Sequence, residues 1–97
     1  MATEAQISKT VEALAVHQFS RCAIEGVRVR RDLDGEGDPI IWIDVLMRDG
    51  VMPLDPKVTL PFRTTIREAI RDLGEISHPI PSFYPISEYR RIRPEAA

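Results

Sequence analysis

The fold follows from residues 24–48, IEGVRVRRDLDGEGDPIIWIDVLMR, in which two strand-like runs flank an acidic turn that is rich in glycine. In the first run, VRVR at residues 27–30, apolar and basic side chains alternate with the period of two that is typical of a half-exposed strand. The second run, residues 40–47, is almost wholly apolar and follows Pro39, which closes the turn. The stretch therefore predicts one long β-hairpin.

The second strand of this hairpin is apolar on both faces, so both faces need cover. Its side chains alternate, with Ile41, Ile43, Val45 and Met47 on one face and Ile40, Trp42, Asp44 and Leu46 on the other. If helices cover the first face, the second is left for a partner, and a tryptophan in such a patch is typical of binding hot spots. We therefore predict an interface at Ile40, Trp42 and Leu46. The alternative is that a second helix or the C-terminal segment lies over this face and places Trp42 in the core.

The residues before the hairpin have the signals of a helix. Thr3 and Gln6 form a capping-box pattern, in which each side chain accepts a hydrogen bond from the other residue's backbone amide. Apolar residues then recur at helical spacing at Ile7, Val11, Leu14 and Ala15. The first helix is predicted to begin at this cap and to end near Arg21.

A second helix is predicted over residues 61–73. Asp55 and Pro56 resemble a helix start, but Pro61 would interrupt a helix begun there, so the intervening residues are expected to form only a short turn. The buried stripe of the helix is expected to be Ile66, Ala69, Ile70 and Leu73. Gly74 is the natural C-terminal cap.

The C-terminal segment is punctuated by prolines. Pro79, Pro81 and Pro85 lack backbone donors, so they favour an extended segment at a sheet edge, which would make a third strand. A short turn of helix is expected over residues 87–94, and residues 94–97 are expected to fray.

Length and composition bound the class of protein. Residues 1–97 suffice for one domain, which is predicted as α+β, helix–β-hairpin–helix with an extended C-terminal segment and a small antiparallel sheet packed on two helices. The apolar share of 43% and the charged share of 29% are those of an ordinary globular protein. No apolar run approaches the roughly 20 residues of a membrane helix, and no secretory signal is evident. Because Cys22 is the single cysteine and cannot form an internal disulfide, the expected location is the cytoplasm.

The acidic turn offers candidate metal ligands. Asp32, Asp34 and Glu36 alternate before Gly37, and closely spaced oxygen ligands are those that calcium prefers. In a calcium-binding loop that starts at Asp32, the twelfth position would be a glutamate, but it is Ile43. The sequence therefore predicts no metal or other cofactor, and the alternative to a cation site is a solvated turn whose carboxylates cap its own amides.

Arginines supply an alternative function. Arg28 and Arg30 in the first strand and Arg63 and Arg67 in the second helix could contact phosphates, which would make the chain a nucleic-acid-associated regulator of the antitoxin kind. The net charge of -2 removes most of the attraction for nucleic acid, and few aromatic residues lie near the basic runs. The other interpretation is that nearby acids balance these arginines on solvated faces.

Catalysis is not predicted. Cys22 and His17 could form a nucleophile and its base, but five residues apart around a helix end they need not face each other. No third group that would orient the base is found. Cys22 is instead expected to be a small buried residue, and His17 an exposed or hydrogen-bonded histidine.

Three short segments carry a resemblance to known proteins: residues 37–40 (GDPI), residues 54–56 (LDP) and residues 79–83 (PIPSF). Over the second half of the chain, they resemble a group of small bacterial proteins of similar length whose function is not assigned. The resemblance implies no activity and transfers no site residue. From the residues themselves, the predicted function is a non-catalytic interaction protein, a homodimer or an accessory subunit that binds through the face or the edge of the hairpin sheet.

Overall fold

The predicted hairpin forms the centre of the structure, a computed structural model that describes residues 2–93. The elements in chain order are helix α1 (Glu4–Phe19), a 3₁₀ turn (Arg21–Ala23), strand β1 (Ile24–Leu33), strand β2 (Pro39–Met47), helix α2 (Pro56–Asp72), strand β3 (His78–Pro85) and helix α3 (Ile86–Ile92). The predicted α+β class and the order helix, hairpin, helix, extended segment are confirmed. Residues 94–97, for which fraying was predicted, lie outside the described residues.

The sheet has three strands in the order β1-β2-β3. β1 and β2 pair antiparallel, with Val29 opposite Ile43, and a bulge shifts the register between Ile24 and Gly26. β3 pairs with β2 in parallel, with Pro81 opposite Ile43. The sheet is therefore mixed and not antiparallel throughout, because α2 carries the chain back to the starting end of β2 before β3 begins. The proline-rich segment forms an edge strand, as predicted from its missing backbone donors.

The start of α1 has the predicted capping box. The Thr3 hydroxyl accepts from the Gln6 amide at 3.1 Å, and the Gln6 side-chain oxygen accepts from the Thr3 amide at 2.9 Å. These two bonds satisfy amides near the helix start that have no partner within the helix. The helix ends at Phe19, close to the predicted end at Arg21. Its buried residues are Ile7, Val11 and Ala15.

Helix α2 begins at Pro56, so the predicted start at Pro61 is wrong. Asp55 Oδ1 accepts from the Lys57 amide at 2.9 Å and caps the helix, and Pro56 occupies the first turn, where no donor is needed. Pro61 lies inside the helix. It removes the amide partner of a single carbonyl, that of the exposed Lys57, while burial of Phe62 stabilises the helix just beyond this point.

The buried stripe of α2 differs from the prediction at both ends. It consists of Phe62, Ile66 and Ile70, whereas Leu73 is 36% exposed and Ala69 is only half-buried. Leu73 was predicted wrongly because it caps the helix, at the point where the chain turns away from the core. Gly74 follows with a φ of 84°, the left-handed conformation expected of the predicted C-terminal glycine.

The core lies between one face of the sheet and helices α1 and α2. On β2 this face carries Ile41, Ile43, Val45 and Met47, which are completely buried. They belong to one cluster with the buried residues of α1 and α2. The opposite face is contacted by α3, whose Tyr89 is buried. Both sides of β2 therefore have helical cover, but the second side depends on a helix of seven residues.

Candidate functional site

We name the side of the sheet opposite α1 and α2 the Trp42 face. Paired residues of neighbouring strands lie on the same face of a sheet. The register therefore places on it Arg28, Arg30 and Asp32 of β1, Ile40, Trp42, Asp44 and Leu46 of β2, and His78, Ile80, Ser82 and Tyr84 of β3. The predicted interface residues thus share one face with two of the four predicted phosphate-binding arginines.

Helix α3 covers one end of the Trp42 face. Its Tyr89 is buried and donates a hydrogen bond to Asp44 Oδ2 at 3.0 Å, and Leu46 is 3% exposed. Ile40, at the other end, is 6% exposed, so two of the three predicted interface residues are already buried by the chain itself. Trp42 is half-buried. Ile40 and Leu46 therefore have little surface left for a partner, and of the predicted interface residues Trp42 remains accessible.

The indole of Trp42 contacts an acid and an arginine of β1. Its Nε1 donates to Asp32 Oδ2 at 3.1 Å, and the Arg30 guanidinium lies 5.6 Å from the ring centroid in a cation–π contact. Donation from Trp42, helped by the Leu33 amide, holds the pKa of the Asp32 carboxyl below its usual range, so this group is an anion at neutral pH. An exposed anion and a half-buried cation thus flank one half-buried aromatic side chain.

We name Trp42 with Asp32 and Arg30 the patch. Arg30 also connects the patch to a buried carboxylate, that of Asp44. Its Nη2 lies 3.4 Å from Asp44 Oδ2, and Asp44 is almost completely buried. Tyr89 donates to the same oxygen. Burial, and then this hydrogen bond, raise the pKa of the Tyr89 hydroxyl, so it remains a donor at neutral pH. Because a buried charge is tolerated only when it is paired, Arg30 stabilises the sheet through its contact with Asp44. Through its cation–π contact, Arg30 also orients the Trp42 ring.

The acidic turn uses its carboxylates to cap its own backbone. Asp34 Oδ1 accepts from the amides of Glu36 and Asp38, both at 2.9 Å, and Asp32 is engaged by Trp42. Among residues 2–93, no three carboxylate, histidine or cysteine side chains converge as a metal site. The candidate cation ligands Asp32, Asp34 and Glu36 therefore have the geometry of a hydrogen-bonded turn.

The four arginines predicted as a phosphate-binding set lie on two sides of the sheet. Arg28 and Arg30 are on the Trp42 face, whereas Arg63 and Arg67 are on α2, which packs on the other side. Arg63 donates a hydrogen bond to the carbonyl of Pro81 in β3. The structure therefore divides these arginines into two separate basic surfaces.

Cys22 is exposed in the 3₁₀ turn, so the prediction that it is buried is wrong. The buried residue of this turn is Ala23, which takes the inward position. His17 lies in the last turn of α1 and is also exposed. In the part of the chain that the structure describes, no hydrogen bond joins Cys22 to His17, so the thiol has no base positioned to activate it.

A groove that the sequence did not predict lies between α2 and the start of β3, and we name it the α2–β3 groove. It is lined by Thr64, Arg67, Glu68 and Arg71 of α2 and by residues 75–79. Its volume is about 440 Å³, within the range of small-molecule pockets. The helical spacing of Arg67 and Arg71 is apparent in the sequence. No pattern in the sequence indicates that residues 75–79 lie opposite them.

One wall of this groove is fixed by a buried carboxylate. The two oxygens of Glu75 accept from the Arg31 guanidinium at 2.9 and 3.3 Å, and the Ser77 amide donates to Glu75 Oε2 at 3.0 Å. Arg31 also donates to the Ala2 carbonyl at 2.5 Å. The hydrogen bonds from Arg31, opposed by burial and helped by Ser77, hold the pKa of the Glu75 carboxyl at about 2. This cluster ties the loop after α2 to β1 and to the start of α1.

The Glu75 cluster predicts a loss of stability in acid. A carboxyl whose pKa is lowered by folding stabilises the folded chain above its usual pKa of 4.5, and this contribution is lost as the pH falls from 4.5 towards about 2. Because the Arg31 side chain is 31% exposed, we expect a loss of about 2 kcal/mol, which is less than the full pKa shift implies. Denaturant unfolding at a series of pH values measures it.

The control for this prediction is an exposed acid. Glu75→Gln should remove the share of the loss that this carboxyl contributes between about pH 4.5 and about pH 2, whereas Glu12→Gln should retain it. A Glu75→Gln chain with the pH dependence of the unchanged chain would show that this carboxylate contributes no such stability.

Comparisons with known proteins assign no family. No family model, no curated protein and no solved structure matches the chain. Within residues 2–93, no helix combines the length and the apolar composition needed to cross a membrane. The Trp42 face and the α2–β3 groove are therefore the features from which a function can be inferred.

Proposed function

We propose that this chain is a non-catalytic interaction protein that forms a homodimer through the open part of its Trp42 face. The observation that carries the proposal is Trp42 itself, half-buried and contacted by both Asp32 and Arg30. An aromatic side chain whose orientation is already fixed loses little conformational entropy on binding, and tryptophan often dominates the energy of an interface. Ile80 lies opposite Trp42 on β3, is half-buried, and extends the apolar surface of the patch.

The charges of the patch favour a second copy of the chain as the partner. In a two-fold symmetric interface the same surface meets itself, so it must be complementary to itself. Asp32 and Arg30 are two positions apart on β1 and both contact Trp42. A two-fold axis that runs across the strands midway between Arg30 and Asp32 would bring the Asp32 of each copy towards the Arg30 of the other. Opposite charges then meet twice while the two indoles pack together.

The two edges of the sheet are less suited to binding than this face. β3 forms one edge, and Pro79, Pro81 and Pro85 lack the amides that an added strand would need. At the other edge, the Ser8 hydroxyl of α1 donates to the Val27 carbonyl of β1 at 3.3 Å. These features disfavour strand addition at either edge, which supports an interface on the face of the sheet.

Replacing Trp42 with alanine is expected to split the dimer without unfolding the chain. Truncation of a hot-spot tryptophan costs about 2 kcal/mol or more, so the dissociation constant of the dimer should rise by at least about thirtyfold. Light scattering over a concentration series measures the mass, and circular dichroism shows whether the monomer stays folded. Leu60→Ala is the matched control, since Leu60 is 63% exposed on α2, away from the Trp42 face.

A charge variant tests the same interface without removing apolar surface. Asp32→Arg would place arginines of the two copies opposite each other, so the dimer should weaken by about tenfold or more. Three results would contradict the proposal: a monomeric chain at all concentrations, an unfolded Trp42→Ala chain, or an Asp32→Arg dimer of unchanged affinity. Binding of DNA or RNA at low salt, with a steep salt dependence, would instead support a nucleic-acid-associated regulator.

A further inference from the structure

The α2–β3 groove has two walls that are fixed relative to each other. One wall is a single face of α2, on which Thr64, Arg67, Glu68 and Arg71 recur at intervals of three and four residues. The other wall is residues 75–79, which the Glu75 cluster ties to β1. A groove whose shape is held before binding requires little further ordering when a ligand enters.

Positive charge in this groove exceeds the negative charge that opposes it. Within residues 2–93, neither Arg67 nor Arg71 has an acidic partner, and the Nε of Arg67 is buried without an acceptor. Glu75 lines the groove, but both of its oxygens already accept from Arg31. Of the acids that line the described groove, Glu68 alone remains to oppose two arginines.

We propose that the α2–β3 groove binds a small organic phosphate. Two guanidinium groups one helical turn apart can donate several hydrogen bonds to the oxygens of one phosphate group. A carboxylate has two oxygens and would leave part of this donor set unused. The donors therefore match a phosphate better than a carboxylate.

The rest of the ligand is inferred to be partly apolar. Ile76 is 80% exposed in the wall of the groove, and Pro79 lies in the same wall. A ligand whose apolar part covers Ile76 removes this surface from water, which favours binding. The volume of about 440 Å³ is larger than inorganic phosphate needs and suits a phosphate ester.

Titrations with inorganic phosphate and phenyl phosphate, followed by nuclear magnetic resonance, test the proposal. We expect saturable shifts of the amide signals of residues 75–79 and of the Nε–H signal of Arg67. Phenyl phosphate should bind about tenfold more tightly than inorganic phosphate because its ring covers Ile76. Acetate should bind at least about tenfold more weakly than inorganic phosphate. The absence of saturable shifts with both phosphates, or acetate binding as tightly as phosphate, would overturn the proposal.

Variants that each remove one charge test where the ligand binds. Arg67→Gln and Arg71→Gln should each weaken phenyl phosphate binding by at least about tenfold, whereas Arg91→Gln, at an exposed arginine of α3, should change it by less than about twofold. Glu68→Gln should strengthen binding because it removes the opposing charge. Equal losses in all three arginine variants would show attraction to net charge alone and would overturn the proposal. The Trp42→Ala chain should titrate unchanged, so this proposal and that of the dimer fail independently.

Discussion

Replacing Arg30 with methionine is expected to lower the free energy of unfolding by about 3 kcal/mol. The substitution removes the cation that lies 3.4 Å from Asp44 Oδ2, and the Asp44 side chain is only 2% exposed. The remaining donor to this oxygen, among the side chains that the structure describes, is the Tyr89 hydroxyl. Methionine can keep an apolar contact with Trp42, so the loss reports mainly on the missing charge. Denaturant unfolding followed by circular dichroism measures it.

An ion pair of the same length provides the control. Arg21 lies 3.4 Å from Glu12, but these side chains are 76% and 41% exposed. Because water solvates both charges there, Arg21→Met should change the free energy of unfolding by less than about 0.5 kcal/mol. Adding Asp44→Asn to Arg30→Met should recover at least half of the loss, since a neutral amide can still accept from Tyr89. Equal effects of the two arginine substitutions would contradict the importance of burial.

Arg30 couples the stability of the sheet to the proposed interface. It contacts Trp42 through its guanidinium and pairs with Asp44 through the same group. A variant at Arg30 therefore alters the fold and the dimer together. Trp42 and Asp32 lie outside the pair formed by Arg30 and Asp44. Substitutions at Trp42 and Asp32 therefore test association separately from folding.

Parts of the fold that depend on neighbouring residues were predictable from the sequence. Alternation in residues 24–48 predicted the hairpin, the pair Thr3 and Gln6 predicted the cap of α1, and the prolines of residues 79–85 predicted an edge strand. All three are present. In each case the signal is a local one, a shared face, a reciprocal cap or a missing donor, and it needs no distant contact.

The candidate sites were predictable only in part. Strand alternation placed Trp42 on the face opposite the core, where it lies. Cover of this face by the C-terminal segment was predicted only as an alternative, because seven residues carry too little helical periodicity to indicate which side α3 buries. The α2–β3 groove was not predicted either, because Arg67 and His78 lie on either side of Gly74 in the chain and line one groove only after folding.

The start of α2 shows how tertiary contacts override a local rule. A proline inside a helix opposes helix formation by about 3 kcal/mol, so Pro61 outweighs the cap at Asp55 when the segment is considered alone. In the folded chain, the next residue, Phe62, is buried against two other elements. Those contacts come from Phe19 and Phe83. Both are distant in sequence, so a rule based on neighbouring residues cannot take them into account.

Phe62→Ala is accordingly expected to lower the free energy of unfolding by about 4 kcal/mol, a large share of the stability of a domain of this size. The Phe62 ring lies 5.3 Å from that of Phe19 in α1, at an interplanar angle of 90°, and 6.2 Å from that of Phe83 in β3. Truncation opens a cavity where α1, α2 and β3 meet and removes two aromatic contacts. Thermal or denaturant unfolding measures the loss.

The control is Leu60→Ala, which truncates an apolar side chain of the same helix that is 63% exposed and should change the free energy of unfolding by less than about 0.5 kcal/mol. If burial of Phe62 offsets the free-energy cost of Pro61 inside α2, the helix should open more often around residue 62 in Phe62→Ala. Hydrogen exchange of the amides at residues 62–66 should then be faster relative to exchange of the amides of α1. Leu60→Ala should not do so. Unchanged relative exchange in Phe62→Ala would mean that the cap at Asp55 is sufficient to hold the first turns of α2 despite the proline.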